Sequence, residues 1–453
     1  MDITAIRGKD GFLFLGGDSN PVLDQITARR NLSTAMLQRW NTSINARVDF
    51  CKKNGCEYFV FIAPNKHCVY REFLPEGLFV SDKRVAKQLE QVSSNVFYPC
   101  STLRKYTDCL TYYKLDTHWN EVGCCVAWNE FFQSKLGLDG LKIPGVKEFK
   151  TGPGDLGATI DPKMSSYAYS VELEHTSKST WDNLLFERGL VRVFKNTIPK
   201  QKRAIIFGDS FSNGFLNRIA DYFSETYFFH TPFFYKDIIT RLSPDVVINA
   251  NVERFFYSPL PLVGTIASDL LQYFWNGQYD CFTLKRFMSV PWNEVFPRDV
   301  YDEMRSSSAN FIDTYTHFKF NTVEGLLRAA PGQSQLERLD ELIAYNQLPF
   351  FYYQKSILQT KNGDFQGASE SIERALDSCP RSDVYLFRSS NIFSDLGMYD
   401  QAIKRAQDAI AVKDNYAHFY SHLGNLLWKT GDLDGAKDAL EKAIALDSLI
   451  PDP

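Results

Sequence analysis

Three short runs of apolar residues in the first 250 positions predict buried β-strands. The runs cover residues 58–63, 204–207 and 246–248, and polar residues follow each of them at once. Runs that are apolar on both faces are typical of parallel strands with helices on either side. Helical spacing of apolar residues over 35–51 and 215–223 supplies such helices. The pattern therefore predicts an α/β domain, a parallel sheet flanked by helices.

A period of 34 residues runs through the last hundred positions. It relates Gly363, Gly397 and Gly431, and two series of alanines, 368, 402, 436 and 375, 409, 443, keep the same spacing. Glycine permits a tight turn between two helices, and alanine lets the helices approach closely. The period and the residue classes resemble those of tetratricopeptide repeats. We predict an all-α domain of three repeats over residues 349–453, whose concave face binds a protein partner.

The remaining segments have weaker patterns. We assign residues 1–298 to the α/β domain, and within it residues 149–195 are predicted to be an insertion with small β-hairpins. This insertion either roofs a cleft or is plain decoration. Residues 299–348 carry apolar residues at helical spacing without a repeat, and they are predicted to form a helical connector of unassigned role.

Length and charge exclude some classes of protein. The chain has 453 residues and a net charge of −4, whereas nucleic-acid binding calls for a basic surface. No apolar run approaches the roughly 20 residues of a membrane-spanning helix. The first residues do not show a basic start followed by an apolar stretch. We therefore expect a cytoplasmic protein, or a periplasmic one if a leader has been trimmed from the chain.

The nine cysteines predict neither disulfides nor a metal site. Their number is odd, their spacing is irregular, and no two of them form a CxxC pair. A structural zinc site is therefore improbable, and free thiols suit a reducing compartment. We expect no bound metal.

Two phrases in the α/β region carry candidate chemistry. Residues 116–120 read Asp-Thr-His-Trp-Asn, and residues 207–211 read Phe-Gly-Asp-Ser-Phe. The second phrase places Ser210 at the turn between a predicted strand and a predicted helix. A serine hydroxyl is a weak nucleophile unless a base takes its proton. His118 supplies that base and Asp116 orients its imidazole, so the pair of phrases predicts a Ser-His-Asp catalytic triad.

Asp209, Asp116 and His118 also have structural interpretations that involve no catalysis, and Ser210 has a rival as nucleophile. Asp209 is a suitable helix N-cap, which would leave Ser210 merely polar. An Asp-x-His sequence is often a surface hydrogen bond. Ser212 is a rival nucleophile two residues later, and Ser210 is preferred because it comes first at the corner.

Five segments in order resemble the SGNH-hydrolase-like alginate O-acetyltransferase family (the AlgX and AlgJ group). The resemblance covers roughly residues 5–260, and Asp-Thr-His-Trp is its most specific element. The segments are residues 7–15, 63–75, 115–123, 207–211 and 244–255. By resemblance, the triad of that family maps to Asp116, His118 and Ser210, and the fold is SGNH-like.

That resemblance implies O-acetylation of a bacterial polysaccharide or other glycan through an acyl-serine intermediate. No bound cofactor is expected, and an acetyl donor such as acetyl-CoA serves as co-substrate. Unlike those members of that family that end in a carbohydrate-binding module, this chain has helical repeats in its last hundred residues. Two alternatives stay open: a carbohydrate acetylesterase with the same triad, and a non-catalytic scaffold that acts through the repeats.

Four further residues are candidates for substrate or oxyanion binding. Arg254 either holds an anionic sugar or donor phosphate, or pairs with Glu253 or another acid. Asn251 either donates to the oxyanion or belongs to a turn. Lys66 either binds an anion or is a solvated loop lysine. Trp119 either stacks on a sugar or packs against His118.

Overall fold

The computed structural model describes residues 3–257, 283–285 and 298–447, apart from residues 19, 142, 144, 173–176, 184, 186–188, 197–201, 321 and 415. The chain divides into two compact units. The first comprises Met1–Asp182, Phe186–Phe234 and Ile239–Leu262, and the second comprises Asn183–Leu185, Tyr235–Ile238 and Val263–Pro453. Most of the predicted end of the α/β domain, residues 258–297, lies outside the described residues, as do residues 448–453 at the end of the predicted repeat domain.

The strands belong mainly to the first unit. They are β1 Thr4–Arg7, β2 Leu13–Gly17, β3 Glu57–Ala63, β4 Val96–Phe97, β5 Gly145–Thr151, β6 Ser166–Glu172, β7 Trp181–Asp182, β8 Val191–Lys195, β9 Arg203–Gly208, β10 Glu225–His230 and β11 Val246–Val252.

The helices before residue 250 are mostly short. They are α1 Val22–Ile26, α2 Thr34–Lys53, α3 Lys66–Val69, α4 Val85–Val92, α5 Cys100–Lys105, α6 Glu121–Phe131, α7 Gly154–Gly157, α8 Ser210–Asn213, α9 Leu216–Ala220 and α10 Lys236–Leu242. Short 3₁₀ turns cover Lys9–Gly11, Arg71–Phe73 and Glu253–Phe255, and a π-helical turn, Phe132–Leu136, extends α6.

A seven-stranded sheet forms the centre of the first unit, in the order β4-β3-β11-β9-β10-β8-β7. The five strands from β4 to β10 are parallel. All three strands predicted from apolar runs are among them, and all seven residues of β11 are buried. The predicted α/β sheet is therefore confirmed. Since β3, β9 and β11 are neighbours, the loops after them meet at one edge of the sheet, where α/β proteins place their sites.

The sheet is mixed rather than purely parallel, which differs from the prediction. Strand β8 pairs antiparallel with β10, and the two-residue β7 pairs antiparallel with β8. Both strands fall inside the segment predicted to be an insertion, residues 149–195. Only part of that segment stands apart from the sheet: β5 and β6 form the expected hairpin. The edge strand β7 has only two residues and so leaves little pattern in the sequence, and β8 pairs with β10, a strand that follows β9 in the chain.

The second unit is helical over its described C-terminal part. Its helices are α11 Arg298–Phe318, α12 Val323–Leu327, α13 Gln335–Tyr345, α14 Pro349–Lys361, α15 Phe365–Ser378, α16 Asp383–Asp395, α17 Tyr399–Val412, α18 Ala417–Thr430 and α19 Leu433–Asp447. Helices α12 and α13 and all but the first residue of α11 lie within residues 299–348, the segment predicted to be helical.

The last six helices form three successive pairs. The glycines of the 34-residue series, Gly363, Gly397 and Gly431, have φ of +80°, +73° and +89°. Such angles favour glycine, so these residues permit the turn inside each pair. The six alanines of the two series are buried, with at most 5% of their surface exposed. The predicted helix–turn–helix repeats are therefore present.

Candidate active site

The two phrases singled out in the sequence meet in the first unit. His118 Nδ1 lies 2.7 Å from Asp116 Oδ1, and His118 Nε2 lies 2.8 Å from Ser210 Oγ. Because an ionised carboxylate can only accept, Nδ1 carries the proton, and Nε2 of the neutral ring accepts from the serine hydroxyl. The three side chains thus form one continuous hydrogen-bonded series.

Local structure presents Ser210 to solvent. Asp209 caps α8: its Oδ1 accepts from Phe211 N at 2.9 Å and its Oδ2 accepts from Val252 N at 2.7 Å. The alternative role predicted for Asp209 as a cap is therefore present, and it coexists with the contact between Ser210 and His118. Ser210 is exposed at the start of the turn. Ser212 is buried, and its hydroxyl donates to Ala250 O at 3.3 Å, which removes it from the surface.

Asp155 is a fourth member of the cluster that the sequence did not reveal. Its carboxylate accepts from the backbone N–H and the hydroxyl of Thr117, at 2.7 and 2.5 Å. Its own N–H donates to Asp116 Oδ2 at 2.9 Å. The only local signal was the glycine- and proline-rich phrase that precedes it, residues 152–154, which indicates a special turn without indicating its neighbour.

The segment that carries Asp155 packs very closely on the Asp116 loop. A Cβ on Gly154 would lie 2.7 Å from both Asp116 Cβ and Leu115 O, and φ at Gly154 is +63°. Gly157 N donates to Leu115 O at 2.9 Å. Glycine is therefore required at position 154 for two separate reasons, space and backbone conformation.

The two carboxylates next to His118 differ in their electrostatics. Burial, the largest effect on Asp116, favours its neutral form, but the hydrogen bonds and charge of His118 outweigh burial and lower the pKa of Asp116 to about 2. Burial and the nearby charge of Asp116 raise the pKa of Asp155. Asp116 is therefore ionised over the whole neutral range, as an acceptor for Nδ1–H must be.

These three side chains also have a spacing that a metal ion would accept. Asp116, His118 and Asp155 each bring one possible ligand atom to within 4.8 Å of the others. Both imidazole nitrogens are already engaged, one by Asp116 and one by Ser210. The expectation that no metal is bound stays a prediction.

Lys66 is buried, not solvated, which corrects one interpretation of its sequence position. It is the first residue of α3, just after β3, and is 3% exposed. Its ammonium donates to the carbonyls of Tyr113, Lys114 and Asp116, at 3.0, 3.0 and 2.6 Å. Burial lowers the pKa of Lys66 to about 7, against the opposite effect of the Asp116 and Asp155 charges. Lys66 thus fixes the loop before His118 through hydrogen bonds to three of its carbonyls.

Arg254 pairs with an acid other than Glu253. Its Nε lies 3.2 Å from Asp18 Oδ2, whereas Glu253 accepts from Arg84 Nε at 3.0 Å. The guanidinium lies over the ring of Phe211, 5.7 Å from its centre, and so next to the Ser210 turn. Arg254 and Thr117 also line a cavity of about 10 Å³, which suits one water molecule rather than a sugar ring.

Trp119 and Asn251 are both 1% exposed. The indole of Trp119 packs on Phe211 with ring centres 5.4 Å apart, and its Nε1 donates to Phe211 O at 2.8 Å. Trp119 is therefore buried against Phe211, whose ring centre lies 4.8 Å from that of His118, and is not an open platform for a sugar. The amide of Asn251, in β11, has no hydrogen-bond partner among the described residues. Its role as an oxyanion donor stays a prediction.

Comparison with known proteins identifies the C-terminal repeats. A family model for the tetratricopeptide repeat matches residues 417–448. The small glutamine-rich tetratricopeptide repeat-containing protein 2 of Mycosarcoma maydis is 31% identical over 84 residues, which are 18% of this chain and 24% of that protein. Its namesake in Saccharomyces cerevisiae is 29% identical over 86 residues, 19% of this chain and 25% of that protein. The chain thus spans about a quarter of the length of these curated relatives, and the predicted repeat class is confirmed.

Solved structures resemble the other part of the chain at a distance. A DHHW family protein from Eubacterium siraeum matches with a TM-score of 0.40 and 14% identity, over 56% of this chain and 95% of that one. Bacillus cereus PatB1 matches with a TM-score of 0.41 and 15% identity, over 56% and 97%. Similarity at this level of identity and TM-score is not evidence that the activity is shared.

No helix in the part of the chain that the structure describes is both long enough and apolar enough to cross a membrane.

Proposed function

We propose that the first unit is a serine-dependent O-acyltransferase that moves an acetyl group onto a hydroxyl of a glycan. The observation that supports this most directly is the pair of contacts of His118, 2.8 Å to Ser210 Oγ and 2.7 Å to Asp116 Oδ1. The identities of the transferred group, acetyl, and of the acceptor, a glycan, are inferred from the sequence resemblance to SGNH-like alginate O-acetyltransferases. An SGNH-like fold is part of the same proposal.

The reaction proceeds in two half-reactions, and in each of them His118 first accepts a proton and then gives it up. Ser210 Oγ attacks the carbonyl carbon of an acetyl ester or thioester such as acetyl-CoA, while its proton passes to His118 Nε2. The tetrahedral intermediate collapses, the bond to the leaving group breaks, and His118 returns that proton to the leaving oxygen or sulfur. In the second half, His118 takes the proton of a sugar hydroxyl, whose oxygen attacks the carbonyl carbon of the acetyl-serine. The bond between that carbon and Ser210 Oγ then breaks, and His118 returns the proton to Oγ, which restores the free serine. Asp116 stabilises the imidazolium in both halves.

Hydrolysis is the second candidate, and the exposure of Ser210 favours it. Ser210 is exposed, and the side chain of His118 keeps 27% of its surface accessible. Water can therefore reach an acetyl-serine at this site. A carbohydrate acetylesterase would use the same residues, with water in place of the sugar hydroxyl.

Covalent labelling with a fluorophosphonate tests the serine site itself. We expect Ser210 to be labelled, and we expect that labelling to be lost in Ser210→Ala, which has no hydroxyl to react. Labelling in His118→Ala, and release of acetate from p-nitrophenyl acetate in both variants, should fall by about 10⁴-fold. Ser212→Ala is the matched control, because it removes a buried hydroxyl from the same turn and should behave as wild type. EDTA should leave the rate unchanged. Full activity in Ser210→Ala would exclude the proposal.

An acceptor competition separates transfer from hydrolysis. With an activated acetyl ester as donor, a transferase should convert added oligosaccharide to its O-acetyl ester, seen as a mass increase of one acetyl group, and should release less free acetate as the acceptor rises. An unchanged yield of acetate, with no acetylated sugar, would favour the esterase.

The repeats extend the proposal to a protein partner. A groove of about 530 Å³ lies along α14, α16 and α18, and it is lined in part by Tyr353, Phe387, Arg388, His422 and Asn425. Concave faces of such repeats commonly bind peptides or helices. Phe387→Ala should weaken partner binding without affecting the labelling of Ser210, and this pair of results would separate a recruiting role of the repeats from catalysis.

A further inference from the structure

The Asp155 carboxylate holds the residue between the two triad members of the 116–118 loop. It accepts from Thr117 twice, from the backbone N–H at 2.7 Å and from the hydroxyl at 2.5 Å. Since Thr117 lies between Asp116 and His118 in the chain, both backbone and side chain at the middle of the loop are fixed by one carboxylate.

Asp155 also completes the hydrogen bonding of Asp116. Oδ1 of Asp116 accepts from the backbone N–H of His118 at 2.9 Å as well as from its ring. Oδ2 points the other way and accepts from Asp155 N at 2.9 Å. Both oxygens of Asp116 are therefore engaged, which restricts rotation of the carboxylate and fixes the tautomer of His118.

The Asp155 carboxylate faces the imidazole as well. Its Oδ2 lies 3.7 Å from His118 Nδ1. Among the residues that the structure describes, Asp116 and Asp155 are the carboxylates within ion-pair distance of that nitrogen. A positive charge that forms on His118 would therefore be stabilised from two sides.

We propose that Asp155 is a positioning residue of the serine site, which holds Asp116 and Thr117 in place and faces the imidazolium that forms on His118. The inference rests on the proposed function, because it assigns Asp155 a part in the same reaction.

Three other titratable groups interact electrostatically with this cluster. The ammonium of Lys66 acts on both Asp116 and Asp155. The Asp209 carboxylate interacts with the charge of His118, and the Tyr113 phenol with that of Asp116. A substitution at position 155 leaves the chemical identity of all these groups unchanged, so the charge that it removes is that of Asp155 alone.

Asp155→Asn tests the proposal because asparagine keeps the size of the side chain and one acceptor for Thr117 N but removes the charge. Loss of that charge makes the imidazolium less stable, so the ring loses its proton at lower pH. We expect the acidic limb of the kcat/KM profile for p-nitrophenyl acetate to move to lower pH by about one unit. The plateau should fall by about tenfold, since the transition state loses a stabilising charge.

The control is Asp161→Asn, an exposed aspartate six residues later in the same segment. It should leave both the limb and the plateau as in wild type. A lower plateau with an unmoved limb would show a purely structural role and overturn the proposal. If Ser210→Ala is inactive while Asp155→Asn matches wild type, only this inference fails. If Ser210→Ala is active, the proposed function fails with it.

A second variant keeps the test decisive if Asp155→Asn does not fold. Thr117→Val removes one of the two hydrogen bonds to Asp155 and keeps the carboxylate charged. We expect a fall in the plateau of severalfold with the acidic limb unmoved. A profile identical to wild type would overturn the positioning role.

Discussion

At the scale of single residues, Lys66 connects the end of β3 to the loop that bears Asp116. Its three donors match the three carbonyls of Tyr113, Lys114 and Asp116. An ammonium has three N–H groups, so the side chain is fully satisfied without water. The loop geometry on which the His118 contacts depend is therefore supported by a buried lysine of a different element.

Replacing Lys66 with methionine should loosen this loop. Methionine fills similar space but leaves the three carbonyls without their donor, and an unsatisfied buried polar group costs about 1–3 kcal/mol. We expect a loss of unfolding free energy of about 1–3 kcal/mol at pH 6.5, measured with urea, and a fall in labelling rate of about tenfold. Lys163→Met, at an exposed lysine, is the control. A variant as active as wild type would remove Lys66 from the support of the site.

The same variant gives a pH dependence with a defined sign. The pKa of Lys66 is about 7 in the folded chain and 10.5 for the free side chain. Between these values the unfolded chain binds more protons than the folded chain, so this group makes stability rise with pH. The advantage of wild type over Lys66→Met should therefore grow from pH 7 to 10. An advantage that shrinks over this window would contradict the assignment.

At the scale of elements, the junction of β9 and α8 presents the serine. One carboxylate, Asp209, caps α8 and also reaches Val252 at the end of β11. The turn is thereby fixed to a neighbouring strand as well as to its own. Burial raises the pKa of Asp209, while the two N–H donors oppose that effect.

Asp209→Ala should remove both contacts. We expect a loss of about 2–3 kcal/mol of unfolding free energy, because a helix cap and a buried N–H both lose their acceptor. Labelling of Ser210 should fall strongly as the turn moves. Asp161→Ala, in an exposed position, should change neither quantity. Unaltered labelling in Asp209→Ala would show that Ser210 is held by other contacts.

At the scale of the whole molecule, the two compact units predict separable unfolding. One is built around a mixed sheet and the other on helix pairs that pack mainly on their neighbours. Proteins with several units commonly depart from a single two-state transition. We therefore expect two calorimetric transitions for the full chain.

Gly397→Val should identify the transition of the repeats. Valine at φ +73° is strained, at a cost of about 1–2 kcal/mol, which lowers the midpoint of one transition by about 4 °C. Asp209→Ala should lower the other. Labelling of Ser210 at 25 °C should persist in Gly397→Val, and Lys404→Ala, on an exposed helix face, should shift neither midpoint. A single transition that both variants lower equally would show that the units unfold as one.

The parts of this structure that the sequence predicts are those that depend on local pattern. The buried strands and the 34-residue repeats follow from the spacing of apolar and small residues, as do the helices of 299–348. The antiparallel pairing of β8 does not, because its partner β10 is only recognisable once the chain has folded.

The same division holds at the candidate site. Asp116 and His118 are two residues apart, so their contact is close to a local property, and the strand-to-helix turn marks Ser210. Asp155 lies 39 residues from Asp116, and the residues next to it in the sequence give no indication that the two are in contact. The burial of Lys66 is not visible in the sequence, because its ammonium bonds to a loop nearly fifty residues later and lies over the ring of Phe14.

The position of β9 in the sheet has a consequence for biosynthesis. This strand delivers Ser210, and it lies between β11 and β10, both of which leave the ribosome after it. The loop with the imidazole is translated 92 residues before the serine, and we expect Ser210 to reach it only when the later strands have paired on both sides of β9. A nascent chain therefore contains His118 well before it contains Ser210, and we expect the hydrogen bond between them to form only after the central strands have paired.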